Sequence, residues 1–460
     1  MRTFPFLLGG AAVILALTLA AAFALPPPLS WAIGIVYIAY DTWLLLHMVL
    51  ASRSALRALP PPPQGDSPSA AVLIAARNER DVLPQALDAV LGQIAPGDRI
   101  LIIDDGSTDG TIDLLQARYG VQTDGRSALY PGLEVLRKAN TGKARSLNQG
   151  LGLVTEELVV TLDADTCLEP GALQALRGAF AAEPALAAAC GVLTPKCQPG
   201  WSSKAFELYQ TFEYLRGFLW RLSWMRDDTL VLISGAFAAF RRARLEAVGG
   251  FDPGSLVEDY ELMFRLHRKS LEAGAPLKAR VVGEARASTD APARPAIFLR
   301  QRTRWFAGFI ETLFRNSDMI GSARYGRLGR WHLRLKTMDL LLPVYGLCAL
   351  GSLLVFLVSG KRIGGVVLGL LLFKLAFDLG CHFYALTLYR RWQGKPIGAG
   401  RALLATLTEP LGFQILRQVG AVLGWISFLR GSIEWHPQRQ QQRQTQPEQL
   451  PAGCPGPPRA

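Results

Sequence analysis

RILIIDDGSTDGT, Arg99 to Thr111, reads as a buried strand that ends in two carboxylates and turns sharply into a helix. Ile100 to Ile103 form an unbroken apolar run, and Gly106 to Gly110 supply a tight turn with helix-capping side chains. The same design recurs on either side. AVLIAA (Ala71–Ala76), LEVLR (Leu133–Arg137) and ELVVTLD (Glu157–Asp163) are further β-type runs. Between them, DVLPQALDAVLGQI (Asp81–Ile94) and DGTIDLLQARYG (Asp109–Gly120) carry apolar residues at helical spacing. This alternation, from residue 71 to about residue 295, predicts an α/β domain with a mostly parallel sheet wrapped by helices.

Outside that domain the chain changes character. Half of the 460 residues are hydrophobic, more than a soluble enzyme needs. Phe6–Leu25 and Leu29–Leu50 are each long enough to cross a hydrocarbon core of about 30 Å. Only PPPLS (Pro26–Ser30) joins them, which favours a hairpin of two spans over a cleaved signal peptide. Arg53, Arg57 and the segment PPPPQGDSPSA (Pro60–Ala70) make a basic, proline-rich exit and place the α/β domain on the cytoplasmic side. Leu340–Val358 and Ile363–Leu388 are further spans, and Leu403–Leu429 is weaker because Glu409, Pro410 and Arg417 interrupt it. Ile297–Asn316 mixes apolar residues with Arg300, Arg302, Arg304 and Arg315, the pattern of a helix lying at a membrane interface. Lys374, Asp378 and His382 form one polar stripe on an otherwise apolar helix, either an internal ion pair or the wall of a conduit.

The expected organisation is a transmembrane hairpin at 1–52, a linker at 53–70, the α/β domain at 71–295, an interface region at 296–336, a transmembrane region at 337–430 and a disordered tail at 431–460. The net charge of +12 gathers at the edges of apolar stretches and so suits a membrane surface, with membrane lipids as partners. No recognition-helix signature accompanies it, and nucleic acid is not expected as a partner. The six cysteines lack the spacing of a zinc site or a disulfide framework.

In a parallel sheet, ligands bind beyond the carboxyl ends of the strands, so the acidic residues there deserve a chemical reading. Asp104 and Asp105 end one strand, although a DG turn is also an ordinary strand-to-helix connection. LVVTLDADT (Leu158–Thr166) ends in Asp163 and Asp165, two carboxylates on one face. Like charges that close are costly without a cation between them. A hard ion such as Mg2+ or Mn2+, shared with substrate phosphates, meets that need and neutralises a diphosphate leaving group. In SLVEDYELMFRLHRKS (Ser255–Ser270), Glu258 and Asp259 open a helix whose dipole favours acids by a few tenths to about 1 kcal/mol. KANTGKARSLNQG (Lys138–Gly150) is not a phosphate-binding P-loop, because Arg137 and Ala144 stand where that motif needs Gly and Ser or Thr.

These clusters, in this order, with RQRTRW (Arg300–Trp305) behind them and apolar spans on both sides, resemble the membrane-bound family 2 glycosyltransferases of GT-A fold, the group of cellulose, hyaluronan and poly-N-acetylglucosamine synthases. The resemblance covers Val72 to about Leu429 and implies a nucleotide-sugar-binding domain flanked by two N-terminal and two or three C-terminal transmembrane helices. It implies that Ala76, Asn78 and Glu79 of AARNE, with Asp104, Asp105, Lys143 and Asp163, hold the nucleotide sugar, and that Asp163 and Asp165 are the metal-binding D-x-D. Asp259 would be the general base beside Glu258. Gln301, Arg304 and Trp305 would form the QxxRW motif near the diphosphate and the acceptor, and Ser234, Gly235 and Ala236 would shape the acceptor pocket. Ala75 replaces the usual proline before the nucleotide motif, Val257 replaces a threonine, and SGAF lacks the cysteine of the cellulose type. The expected activity is inverting transfer from a nucleotide-diphosphate sugar, foremost a UDP-sugar, to a growing polysaccharide exported through the protein's own spans in the plasma (inner) membrane. A glycolipid synthase acting on an acceptor such as diacylglycerol, or a nucleotide-sensing transporter without chemistry, are the alternatives. Sugar identity and export partners are not legible in these residues.

Overall fold

The computed structural model describes residues 3–25, 29–57, 67–359, 364–393 and 398–431. The expected tail beyond Gly431 and most of the proline-rich exit lie outside them. The chain divides into two units, one drawn from 1–57, 208–229 and 292–435, the other from 58–207 and 230–291. In chain order the elements begin with α1 (Thr3–Ala24), α2 (Ala32–Arg57), β1 (Ala70–Ala76), α3 (Leu83–Leu91), β2 (Arg99–Asp105), α4 (Thr111–Tyr119), β3 (Leu133–Lys138), α5 (Lys143–Leu151) and β4 (Leu158–Leu162). There follow β5 (Cys167–Leu168), α6 (Ala172–Ala182), β6 (Leu186–Cys197), α7 (Ser203–Met225), β7 (Phe237–Arg241), α8 (Arg242–Glu246), α9 (Glu258–Glu272) and β8 (Lys278–Ala291). The rest is helical: α10 (Pro295–Arg315), α11 (Leu333–Asp339), α12 (Leu342–Val358), α13 (Gly365–Gln393), α14 (Ala399–Thr408) and α15 (Phe413–Arg430).

The α/β unit is built on one eight-stranded sheet in the order β3-β2-β1-β4-β7-β6-β8-β5. The half read from the apolar runs is parallel throughout: β1 pairs with β2 and β4, and β2 with β3. Burial on both faces explains why these strands are continuously apolar, with Val72, Leu73, Ile74, Ile100, Ile102 and Ile103 almost wholly removed from water. The other half is mixed, since β7 runs antiparallel to β4 and β6 while β6 and β8 are parallel. The reversal at β7 matters for the site. It brings the start of β7 (Phe237) opposite the end of β4 (Leu162), so two different connections meet at the same edge. Cys190 and Cys197 of this unit are free thiols.

In the helical unit, four helices among the described residues are long and apolar enough to cross a membrane: Phe4–Ala22, Leu29–Arg53, Leu328–Val358 and Gly365–Arg390. Ala399–Leu411 and Phe413–Arg430 meet at a 50° bend at the place where Glu409 and Pro410 interrupt the pattern, and count as a fifth if they form one span. The expected interface segment is the continuous helix α10, which packs closely along α15. A Cβ on Gly424 would lie 2.7 Å from the Phe306 Cβ, so only glycine admits this approach.

The polar stripe of α13 is paired within the unit. Lys374 binds Asp378 and, at 2.8 Å, Asp41 of α2. His382 hydrogen-bonds Thr406 at 2.6 Å and meets Arg216, which is ion-paired to Glu409. Charges among apolar helices persist only with such partners.

Candidate active site

Register places the carboxyl ends of β1, β2 and β3 side by side, with Ala76 opposite Asp104 and Asp105 opposite Lys138. Beyond them, the AARNE and DGSTDGT loops are stitched together. The Asn78 backbone, held in a left-handed conformation (φ 58°), donates to the Ser107 hydroxyl at 2.9 Å, and its side-chain oxygen accepts from the Thr108 N–H at 2.7 Å. The Glu79 N–H donates to the Thr111 hydroxyl at 3.2 Å. Local Asn and Ser/Thr bonding of this kind replaces the ladder where the strands end.

The two aspartates of β2 differ in environment. Burial raises the pKa of Asp104, and the Ser107 N–H only partly offsets it. Asp105 is also buried, but the Lys138 ammonium and the Thr141 and Gly142 N–H groups, both at 2.8 Å, outweigh burial and hold its carboxyl below the usual range. Lys138 further donates to the Ala139 carbonyl, the Thr141 hydroxyl and the Ser146 hydroxyl. Asp105 thereby fixes the turn from which α5 starts.

The first residue of α5 is Lys143, and its ammonium spans two acidic groups, lying 2.7 Å from Asp163 Oδ1 and 3.2 Å from Glu258 Oε1. The Asp163 N–H donates to the Ala236 carbonyl at 3.1 Å, an extension of the β4–β7 pairing. Asp165 accepts from the Thr166 and Thr289 hydroxyls at 3.3 and 3.2 Å. Asp259 opens α9, and its Oδ2 takes the Gly235 N–H at 2.8 Å. A Cβ on Gly235 would come within 3.1 Å of that carboxylate, so glycine is what lets the two approach. Burial, then the neighbouring Glu258, raise the Asp259 pKa above the ordinary aspartate value.

One edge of the α/β unit thus gathers Asp163, Asp165, Lys143, Glu258, Asp259 and Gly235. Among the described residues no group of three or more His, Cys, Asp and Glu side chains forms a metal cage. Asp163 and Asp165, two residues apart in the chain and the latter with hydroxyl neighbours, still fit a hard divalent ion, which takes its other ligands from substrate phosphates and water.

Of the remaining expected residues, Ser234 accepts the Phe237 N–H at 3.1 Å in the α/β unit, while Gln301, Arg304 and Trp305 belong to the helical unit. Gln301 accepts from Arg302 at 2.5 Å. Arg302 is 1% exposed, ion-paired to Glu213, and lies 4.4 and 4.3 Å from the ring centres of Phe298 and Trp305. Trp305 therefore stacks on a guanidinium of its own helix. The sequence reading took Arg302 only as one charge of an interface helix and assigned no role to Lys138, Thr289 or Asn148. The last of these clamps the Phe251 backbone through two bonds of 2.7 Å. Register alone could have exposed Lys138; the others needed contacts distant in sequence.

A mixed sheet of this order is of the GT-A type found in glycosyltransferases. Residues 71–249 match the model of glycosyl transferase family 2. The chain is 30% identical over 248 residues to the poly-β-1,6-N-acetyl-D-glucosamine synthase of Staphylococcus epidermidis, covering 53% of this chain and 55% of that protein. It is 29% identical over 279 residues to the enzyme of the same name from Staphylococcus aureus, covering 59% and 62%. The matches thus span somewhat over half the length of these relatives. Among solved structures, a mannosyltransferase from Pyrobaculum calidifontis, in complex with GDP-Man and Mn2+, superposes with a TM-score of 0.56 at 20% identity, over 83% of this chain and 99% of that one. At that identity the likeness speaks for the fold.

Proposed function

We propose that the protein is an inverting glycosyltransferase of the plasma membrane that adds sugars from a nucleotide-diphosphate sugar, foremost a UDP-sugar, to a growing polysaccharide. The observation that carries this reading is the meeting of Asp163, Lys143, Glu258 and Asp259 at one strand edge. The acceptor hydroxyl, with a pKa far above 7, needs a carboxylate within hydrogen-bond reach, and Asp259, anchored by Gly235 and raised by burial, is suited to take its proton. As that oxygen bonds to the anomeric carbon, the bond to the diphosphate breaks on the opposite face. Negative charge then grows on the leaving group. A divalent ion held by Asp163 and Asp165 would supply Lewis-acid stabilisation there. Lys143 adds a cation, and Arg304 of the QxxRW segment is the candidate for a further one. Trp305 is the candidate stacking face for the acceptor sugar.

The relatives named for poly-β-1,6-N-acetyl-D-glucosamine support a polymer product and make N-acetylglucosamine the first sugar to try. A cytoplasmic α/β domain and export through the helical unit follow from the same reading. The test is incubation of the detergent-solubilised protein with radiolabelled nucleotide sugars and Mg2+ or Mn2+, followed by sizing and solvent extraction of the product. A large aqueous product supports polymerisation. A short, solvent-extracted product points instead to a glycolipid, and no transfer from any donor defeats the reading.

A further inference from the structure

The carboxylate that would bind the metal already holds a cation belonging to the protein. Lys143 Nζ lies 2.7 Å from Asp163 and 3.2 Å from Glu258, and the three side chains are 29%, 32% and 15% exposed. The lysine's backbone is fixed, because Asp105 grips the Thr141 and Gly142 N–H groups just before it. Its head is not fixed in the same way: a lysine stem has several rotatable bonds and a compact charge that can be redirected.

A divalent ion and an ammonium cannot share one carboxylate oxygen at contact distance without strong repulsion. A nucleotide diphosphate offers the ammonium another anionic partner. Resting on the functional reading above, we propose that Lys143 is the resident counter-ion of the metal site. It neutralises Asp163 and Glu258 before substrate arrives, then moves its charge to the diphosphate as the divalent ion takes Asp163. Nucleotide binding thus strengthens metal binding through this residue, and linkage requires metal to strengthen nucleotide binding by the same factor.

The experiment is titration of the full-length, detergent-solubilised protein with Mn2+, followed by electron paramagnetic resonance of the free ion, with and without saturating UDP. Asp165→Ala serves as the control for the site. For the wild type, UDP should tighten Mn2+ binding about tenfold or more. Lys143→Met should bind Mn2+ alone about tenfold more tightly than the wild type and show a smaller UDP effect, limited to direct coordination of the ion by the diphosphate. Lys143→Arg should retain the wild-type effect. Lys143→Gln gives the same readout if methionine is not tolerated. If both neutral variants bind Mn2+ no more tightly than a wild type that shows coupling, the counter-ion role is wrong while the functional reading stands. If the wild type binds no UDP in the presence of Mn2+, both fall.

Discussion

In the proposed reaction Asp259 is the base, and its surroundings make its protonation measurable. Burial and Glu258 raise its pKa, so the folded protein takes up this proton at a pH where a free aspartate, near 3.9, would have lost it. The sign follows. Neutral Asp259 favours the fold, and that stability, present in acid, is lost as pH rises through the raised pKa. Transfer needs the opposite form. The acid limb of the kcat/KM profile should therefore lie above the ordinary aspartate range, and a limb at or below 3.9 would speak against this base. Asp105 behaves inversely: its depressed pKa contributes stability above the unfolded value that disappears in acid. Lys138→Met strands its carboxylate, which is 6% exposed, and should cost about 3 kcal/mol in denaturant titrations. A loss under about 0.5 kcal/mol would mean that the backbone N–H groups satisfy Asp105 alone.

At the scale of elements, β7 and α9 are coupled through one glycine. Gly235→Ala places a Cβ 3.1 Å from Asp259 and must push the carboxylate aside. We expect kcat to fall about tenfold or more while the thermal transition hardly moves, since misplacing a catalytic group costs rate before it costs stability. An unchanged kcat would show that the contact does not position the base. In the helical unit, Arg302→Ala should lower stability by about 3–5 kcal/mol, read by thermal unfolding in detergent, because Glu213 loses its partner in a buried site. A near-neutral result would reassign Arg302 to the surface. These couplings also mark what the sequence could and could not disclose. β1, β2 and β4 were legible because a strand buried on both faces must be apolar throughout. The two-residue β5 leaves no periodic signal, and the β4–β7 pairing joins Leu162 to Phe237 across many intervening residues. Asp163 and Asp165 announced themselves because adjacent carboxylates need a reason. Arg302 did not, since a buried arginine looks like any other until Glu213 and Phe298 are placed around it.

For the whole molecule, the apolar runs foretold the candidate spans, whereas residues 208–229 were not separable from the α/β domain by pattern and group with the helices only through contacts. The Lys374 stripe likewise turned out to be paired across helices, to Asp41, and not only along its own. The proposed reaction is sugar transfer at the edge of the α/β unit. The most direct measurement is a comparison of wild type and Asp259→Asn for donor binding and for transfer from a labelled nucleotide sugar. The account predicts unchanged donor affinity and a rate lower by about 10²–10⁴-fold in the variant, the usual contribution of a positioned base. Transfer at the wild-type rate by Asp259→Asn would contradict it.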